Sequence, residues 1–178
     1  MILHEFSYTV HGESRRRRGG RVRCPEMIGM ATKSSSDPDG RGVFAEYRDG
    51  GRFEEAGGYV RAKRVGDLVF VAGTTAIEPS GRVHAPGDLY AQSRFAIARI
   101  GDALAAVGSR LEDVVRVRAY LTDLDRAGEF VRAHRELLGA AKPVLTAVGA
   151  SLATPGLVVE IEVDAVSPSV QDFGSGVD

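Results

Sequence analysis

Residues 157–166 read LVVEIEVDAV, an alternation that sets Glu160, Glu162 and Asp164 against Val159, Ile161 and Val163. Successive side chains of a strand point to opposite faces, so the acids share one face and the aliphatic residues the other. The aliphatic face must be core. The acidic face is either open to solvent, as half-exposed antiparallel strands commonly are, or it walls a polar cleft or a subunit junction. The choice between these depends on the elements around it.

Working back along the chain, LTAVGAS (145–151) supplies a further strand. DLDRAGEFVRAHRELLG (123–139) places Ala127, Phe130, Val131, His134, Leu137 and Leu138 on one helical face and stops at Gly139. DVVRVRAYLTD (113–123) alternates as a strand, with Val115, Val117, Ala119 and Leu121 on one side and Arg116, Arg118 and Tyr120 on the other. APGDLYAQSRFAIARIGDALAAVGS (85–109) is helical: Leu89, Ile97, Ile100, Leu104 and Val107 form its stripe, with Phe95 beside it. Asp88 suits its N-cap and Gly108 its stop. YVRAKRVGDLVFVAGTTA (59–76) predicts two strands, near 59–64 and 68–73, across a Gly66-Asp67 turn.

The predicted order is β-β-(β)-α-β-α-β-β, with room for a short strand near 81–84, and the fold class is α+β. Two helices cover one face of a mostly antiparallel sheet and leave the other without a cover from its own chain. A symmetric ring of copies would bury that second face.

Residues 1–51 have a different character. HGESRRRRGGRVR and KSSSDPDGRG carry charge, Ser and Gly without sustained period, so a disordered extension is expected there, and a flexible tail over 169–178. The first 51 residues hold nine Lys and Arg against seven Asp and Glu, so Arg15 to Arg18 pose the alternative of a basic arm for RNA or an acidic partner. Met27 and Met30 offer later start points for translation. The net charge of −1 exerts no global pull on nucleic acid or an anionic membrane. A single cysteine, Cys24, excludes an internal disulfide framework and a Cys-rich zinc site. No apolar run reaches the ~18 residues that span a bilayer, and the first thirty residues lack a secretory h-region, so the expected location is the cytoplasm. The four histidines include no H-x-x-x-H pair, and neither a G-x-S-x-G turn nor a phosphate loop occurs.

GGYVRAKRVGDLVFVAGTTA, GDLYAQSRFAIARIGDALAAVGSRLEDVVRVRAYLTDL and KPVLTAVGASLATPGLVVEIEVDAV, in this order and spacing, resemble the RidA/YjgF family of reactive-intermediate deaminases, some once called L-PSP endoribonucleases. The similarity covers about residues 57–166, which makes 52–168 the RidA-like domain. The resemblance implies a chorismate-mutase-like fold and a homotrimer with three clefts between subunits. It also implies hydrolysis of an amino-acid-derived imine or enamine to a 2-oxo acid and ammonia, with no metal or organic cofactor.

Carried across by position, the family tyrosine that lines the cleft matches Tyr59, and the glutamate that places the attacking water matches Glu160. The backbone around Gly73 and Thr74 falls where the family cradles its ligand, and the hydroxyls of Thr74 and Thr75 are within the same stretch. The family arginine that grips the substrate carboxylate does not match: Leu145 follows Pro143-Val144 in its place. Leucine offers none of an arginine's charge-assisted hydrogen bonds, each worth about 1.5–3 kcal/mol. Arg61 stands where glutamine is usual and Arg132 where asparagine is common, so either could restore an anion site or remain a surface cation. Glu162 and Asp164 are assigned to the rim or to trimer contacts.

These residues allow a hydrolase in which Glu160 takes a proton from attacking water, and equally a Glu160 that only holds backbone or a neighbouring subunit. The enzyme reading expects a small-molecule substrate other than the simplest imino acids. A non-deaminating binding or biosynthetic accessory protein is the alternative, and RNA cleavage a third reading, against which the net charge speaks. His134, on the apolar side of its helix, is expected to be packed rather than catalytic, and His84 to be a loop residue.

Overall fold

The structure, a computed structural model, describes residues 30–36 and 43–168. Its elements in chain order are β1 (Met30–Ser36), β2 (Val43–Arg48), α1 (Arg52–Gly57), β3 (Ala62–Val65), β4 (Leu68–Thr75), α2 (Leu89–Ala106), β5 (Val114–Leu121), α3 (Ala127–Leu138), β6 (Val144–Gly149) and β7 (Val159–Val166). Gly66, at φ +59, closes the expected turn and folds β4 back on β3 with Val65 opposite Leu68. Glycine carries positive φ without a steric cost. All strands join one sheet in the order β1-β2-β3-β4-β7-β5-β6. Only β5 and β6 run parallel, as a crossover through α3 requires.

The alternation of the quoted stretch holds along the whole of β7: Val159, Ile161, Val163 and Ala165 are buried, and Glu160, Glu162 and Asp164 are half-buried on the other face. Over the buried face lies α2, capped by the Asp88 carboxylate, which accepts from the Ala91 N–H at 2.8 Å. Leu89, Ile97, Ile100 and Leu104 of α2 pack with Phe130 and Leu138 of α3 into the core over this sheet face. Gly108, at φ +75, follows the helix end, as its position in the sequence suggests.

Four features depart from the sequence reading. A β-bulge between Val114 and Arg116 puts Val114 into the core and leaves Val115 45% exposed, because one extra residue inverts the alternation at that point. On α3, Val131 is exposed and Ala133 is buried, since the helical stripe runs through Phe130, Ala133 and Leu138. Order also reaches into the stretch assigned to a disordered extension: β1 and β2 extend the sheet, and Ala45 and Tyr47 of β2 are buried in its core. Alternating Phe44, Ala45, Glu46 and Tyr47 is a strand pattern too short to stand out beside the charge runs around it. The Arg15–Arg18 run, Met27 and the 169–178 tail lie outside the described residues. In place of a short strand near 81–84 there is a single bridge, Ile77 to Val83.

Two buried polar side chains fasten the layers. Gln92 of α2, fully buried, donates to the carbonyls of Ala85 and Gly156 and accepts from the Val158 N–H, so α2 holds the chain that leads into β7. Arg64 of β3, 4% exposed, donates to the carbonyls of Gly66, Val107, Gly108 and Ser167, tying the end of α2 to the end of the β4–β7 pair where β4 starts and β7 stops. No helix among the described residues is long and apolar enough to cross a membrane.

Gln92→Leu strands the Val158 N–H and leaves the Ala85 and Gly156 carbonyls with only the Asp88 and Gly87 N–H groups. One unmet buried group costs about 1–3 kcal/mol, so urea denaturation should show a loss of roughly 1–3 kcal/mol. His134 packs 5.8 Å from the Phe130 ring, its Nε2 has no hydrogen-bond partner among the described residues, and burial pulls its proton affinity down. The folded state then binds fewer protons at His134 than the unfolded chain does. Stability should fall as pH drops below the ordinary imidazole value of about 6.5, and His134→Leu should flatten that part of a melting-temperature profile.

Candidate active site

Between Val71 and Thr74 the register of β4 against β7 shifts, so two residues, Ala72 and Gly73, face Glu162 alone. A bulge re-aims the backbone, and here it brings the Gly73 Cα under the side chain of Glu160. A Cβ at position 73 would lie inside contact distance of Glu160 Oε1 and 3.0 Å from its Cδ. The carboxylate therefore rests on a surface that only glycine leaves open. Thr75 of β4 and Tyr120 of β5 are the register partners of Glu160 on either side.

The three acids of β7 are not equivalent. Arg118, on the neighbouring strand β5, donates to Glu162 at 2.9 Å and to Asp164 at 3.1 Å, and the Tyr120 hydroxyl donates to the same Glu162 oxygen at 3.1 Å. Glu162 and Asp164, expected at the rim or in trimer contacts, thus form an ion ladder within one chain. Arg116, 3.9 Å from Asp164, extends it. Glu160 receives no side-chain hydrogen bond among the described residues. Burial pushes its carboxyl above the usual range, the charge of Glu162 adds to the rise, and the nearby Arg61 guanidinium opposes it.

Arg61 reaches this place from the start of β3 and donates to the Gly73 carbonyl at 2.8 Å. Its Nε lies 3.3 Å from Asp49 and 3.5 Å from Glu54, two carboxylates whose side chains are 3% exposed. Arg99 of α2 closes the group by pairing with Asp49 and donating to the Ile77 carbonyl. Burial pushes both acids up; at Asp49 the Arg61 charge, a hydrogen bond with Glu54 and the Arg99 charge outweigh it, so Asp49 ends low. Glu54 ends high, through burial and the adjoining Asp49. Asp49, Glu54 and Arg99 escaped the sequence reading because the group is assembled from separate elements; Asp49 and Arg99 are 50 positions apart.

The structure thus brings together Glu160, Gly73 and Arg61, and separates the other expected residues from them. Thr74 is 1% exposed, faces the core beside Ile161, and donates its hydroxyl to the Ala72 carbonyl, so Thr75 is the threonine on the Glu160 face. Arg132 lies on α3, in the helical layer across the sheet from Glu160, with its guanidinium carbon 3.7 Å above the Tyr90 ring. It belongs to a surface depression with Pro86, Gly87, Asp88, Tyr90 and Arg126. Leu145 pairs in register with Val117, whose side chain is in the core, so it faces away from Glu160 and stands two strands, about 10 Å, from β7. The ring of Tyr59 covers Gly57, its carbonyl accepts from Arg48, and it is 37% exposed. Beside it another depression is lined by Arg48, Gly50, Gly51, Glu54, Glu55 and Gly58; Glu160 lines neither of these two. No group of three or more His, Cys, Asp or Glu suited to a metal ion occurs among the described residues.

Comparison with known proteins bears on this arrangement. An uncharacterized protein of Streptomyces coelicolor is 35% identical over 127 residues, covering 69% of this chain and 92% of its own. The crystal structure of a YjgF/YER057c/UK114 family member from Mycobacterium tuberculosis superposes with a TM-score of 0.63 at 43% identity, over 69% of this chain and 98% of that one. The 2-iminobutanoate/2-iminopropanoate deaminase of mouse is 26% identical, over 62% of this chain and 82% of its own. The sequence profile described as Endoribonuclease L-PSP matches residues 50–167, so the chain belongs to that family, the RidA/YjgF group, and has its α+β fold.

Proposed function

We propose that this protein hydrolyses a reactive imine or enamine, with Glu160 as general base, in a cleft that further copies of the chain complete as a homotrimer. The observation that carries the reading is Glu160 itself. It is the β7 acid without a pairing cation in hydrogen-bond contact, it rests on Gly73, and its proton affinity is raised. A carboxylate tuned upward toward the working pH is suited to both taking and returning a proton.

In the first step a water oxygen bonds to the electrophilic carbon of the protonated C=N, the π electrons move onto nitrogen, and the proton of water passes to Glu160. In the second, Glu160 returns that proton to nitrogen. The C–N bond then breaks with its electron pair on nitrogen, and the hydroxyl proton follows to give a carbonyl and ammonium. Water and iminium are consumed in equal number, and the carboxylate is regenerated. The name of the mouse relative supports this chemistry by kinship.

Two apolar surfaces support assembly. β6 is an edge strand with every residue exposed, Val144, Leu145 and Val148 among them. At one end of the uncovered sheet face, Val65, Leu68, Phe70 and Val166 are each 40–48% exposed. Unpaired edges and contiguous apolar patches are the usual seats of partner chains.

Ammonia release from freshly generated imines is the direct assay. Glu160→Gln should lower kcat/KM by about 10²–10⁴ while the melting temperature stays close to that of the parent, and an unchanged rate would refute the base assignment. Gly73→Ala, whose methyl displaces the carboxylate, should cost more than tenfold in the same assay. The acidic limb of the kcat/KM profile should lie above the ordinary glutamate value of about 4.3. Sedimentation equilibrium should give three times the chain mass.

A further inference from the structure

The charges around Glu160 restrict what binds there. Arg61, Arg116 and Arg118 are the guanidiniums beside the β7 acids; Arg116 lies against Asp164, away from Glu160, and the other two are engaged. Arg61 holds the Gly73 carbonyl and lies between Asp49 and Glu54, while Arg99 shares Asp49. With all four groups ionised this buried set is neutral. Arg118 bridges Glu162 and Asp164, so it offers its charge to two acids at once. The exposed edge strand that a second copy could bring nearby, VLTAVG over 144–149, holds no ionisable side chain. What is left without a cation in hydrogen-bond contact is the Glu160 carboxylate, with Glu162 next to it on the same face and the Arg61 charge acting on it from a distance.

A substrate carboxylate seated against Glu160 would meet like charge, and the guanidinium near it, Arg61, is already shared between Asp49, Glu54 and the Gly73 carbonyl. A planar cation meets the reverse: N–H groups directed at the carboxylate oxygens and the Tyr120 ring, on the adjoining strand, as a flank. We propose that the Glu160 site selects imines that carry no carboxylate and binds them as the cationic iminium. This deepens the hydrolase reading and rests on it for turnover, but the charge selection itself can be tested by binding alone. The substrates that fit are imines formed by oxidation of primary amines, or their cyclic counterparts. The reaction that supplies them is then an amine oxidation rather than an amino-acid elimination.

The test has a binding arm and a turnover arm, both with the full chain. Acetamidinium, a stable planar cation, and 2-oxobutyrate, a small carboxylate, are titrated by calorimetry against the parent and Glu160→Gln. Acetamidinium should bind at least tenfold more tightly than 2-oxobutyrate and should weaken at least tenfold in Glu160→Gln, whose folding is checked by its melting temperature. Equal or tighter binding of 2-oxobutyrate, or acetamidinium binding that is undetectable or indifferent to the substitution, overturns the proposal. In the second arm, imines are generated in place by an amine oxidase from a primary amine, or by an amino-acid oxidase from the matching amino acid. A kcat/KM at least tenfold higher for the amine-derived imine upholds the selection. A preference for the carboxylate imine overturns it and leaves the hydrolase reading standing. No turnover of either, with acetamidinium still held at Glu160, upholds the charge selection and removes the hydrolase reading.

Discussion

β7 is hydrogen-bonded on both edges, to β4 and to β5, and most of the structure follows from that position. A strand paired on both sides cannot rotate or slip by one residue without turning every side chain to the wrong face. Val159, Ile161, Val163 and Ala165 must then lie under α2 and α3, and the three acids must leave on the other side. The β4 bulge acts on this rigid frame and singles out one acid. By presenting Gly73 to Glu160 it lets the carboxylate lie against backbone, where water is partly excluded.

The electrostatics divide along the same line. Glu162 and Asp164 are answered by Arg118, a cation two positions from Arg116 on a strand in register with them. Pairs this exposed add little stability, about 0–1 kcal/mol each, so their effect is to fix the side chains of the open face. On the other flank, Arg61 is gripped by Asp49 and Glu54 and braces the Gly73 carbonyl. Arg61 therefore acts on the backbone that supports Glu160 more than on a ligand. A buried ion group of this kind persists because removing either partner would leave a bare charge in a poorly solvated place.

The surfaces left open accord with the proposed chemistry. The helical layer covers one face of the sheet, whereas the face with Glu160 has no cover among the described residues. Apolar residues gather along the β6 edge and at the end of that face far from Glu160, where Phe70 is the register partner of Asp164. The proposed base would need limited water around a reactive C=N, and a single chain with one bare sheet face gives only part of that exclusion.

Much of the fold was legible in the residues because its signals are local. Alternation marked β7 and β5, the Leu89–Leu104 stripe with Asp88 and Gly108 marked α2, and Gly66-Asp67 marked the β3–β4 turn; each depends on neighbours within a few positions. Glu160 and Gly73 were legible through the family pattern. What only the tertiary structure decided arises from long-range register and pairing. The bulges moved Val115 out, sent Thr74 into the core and set Gly73 beneath Glu160, and a bulge is a property of two strands, not of one. The engagement of Arg61, the distance of Leu145 and Arg132 from Glu160, and the joining of β1 and β2 to the sheet likewise depend on residues in other elements. Sequence period determines which face a side chain occupies, whereas the packing of distant segments determines which charge it meets there.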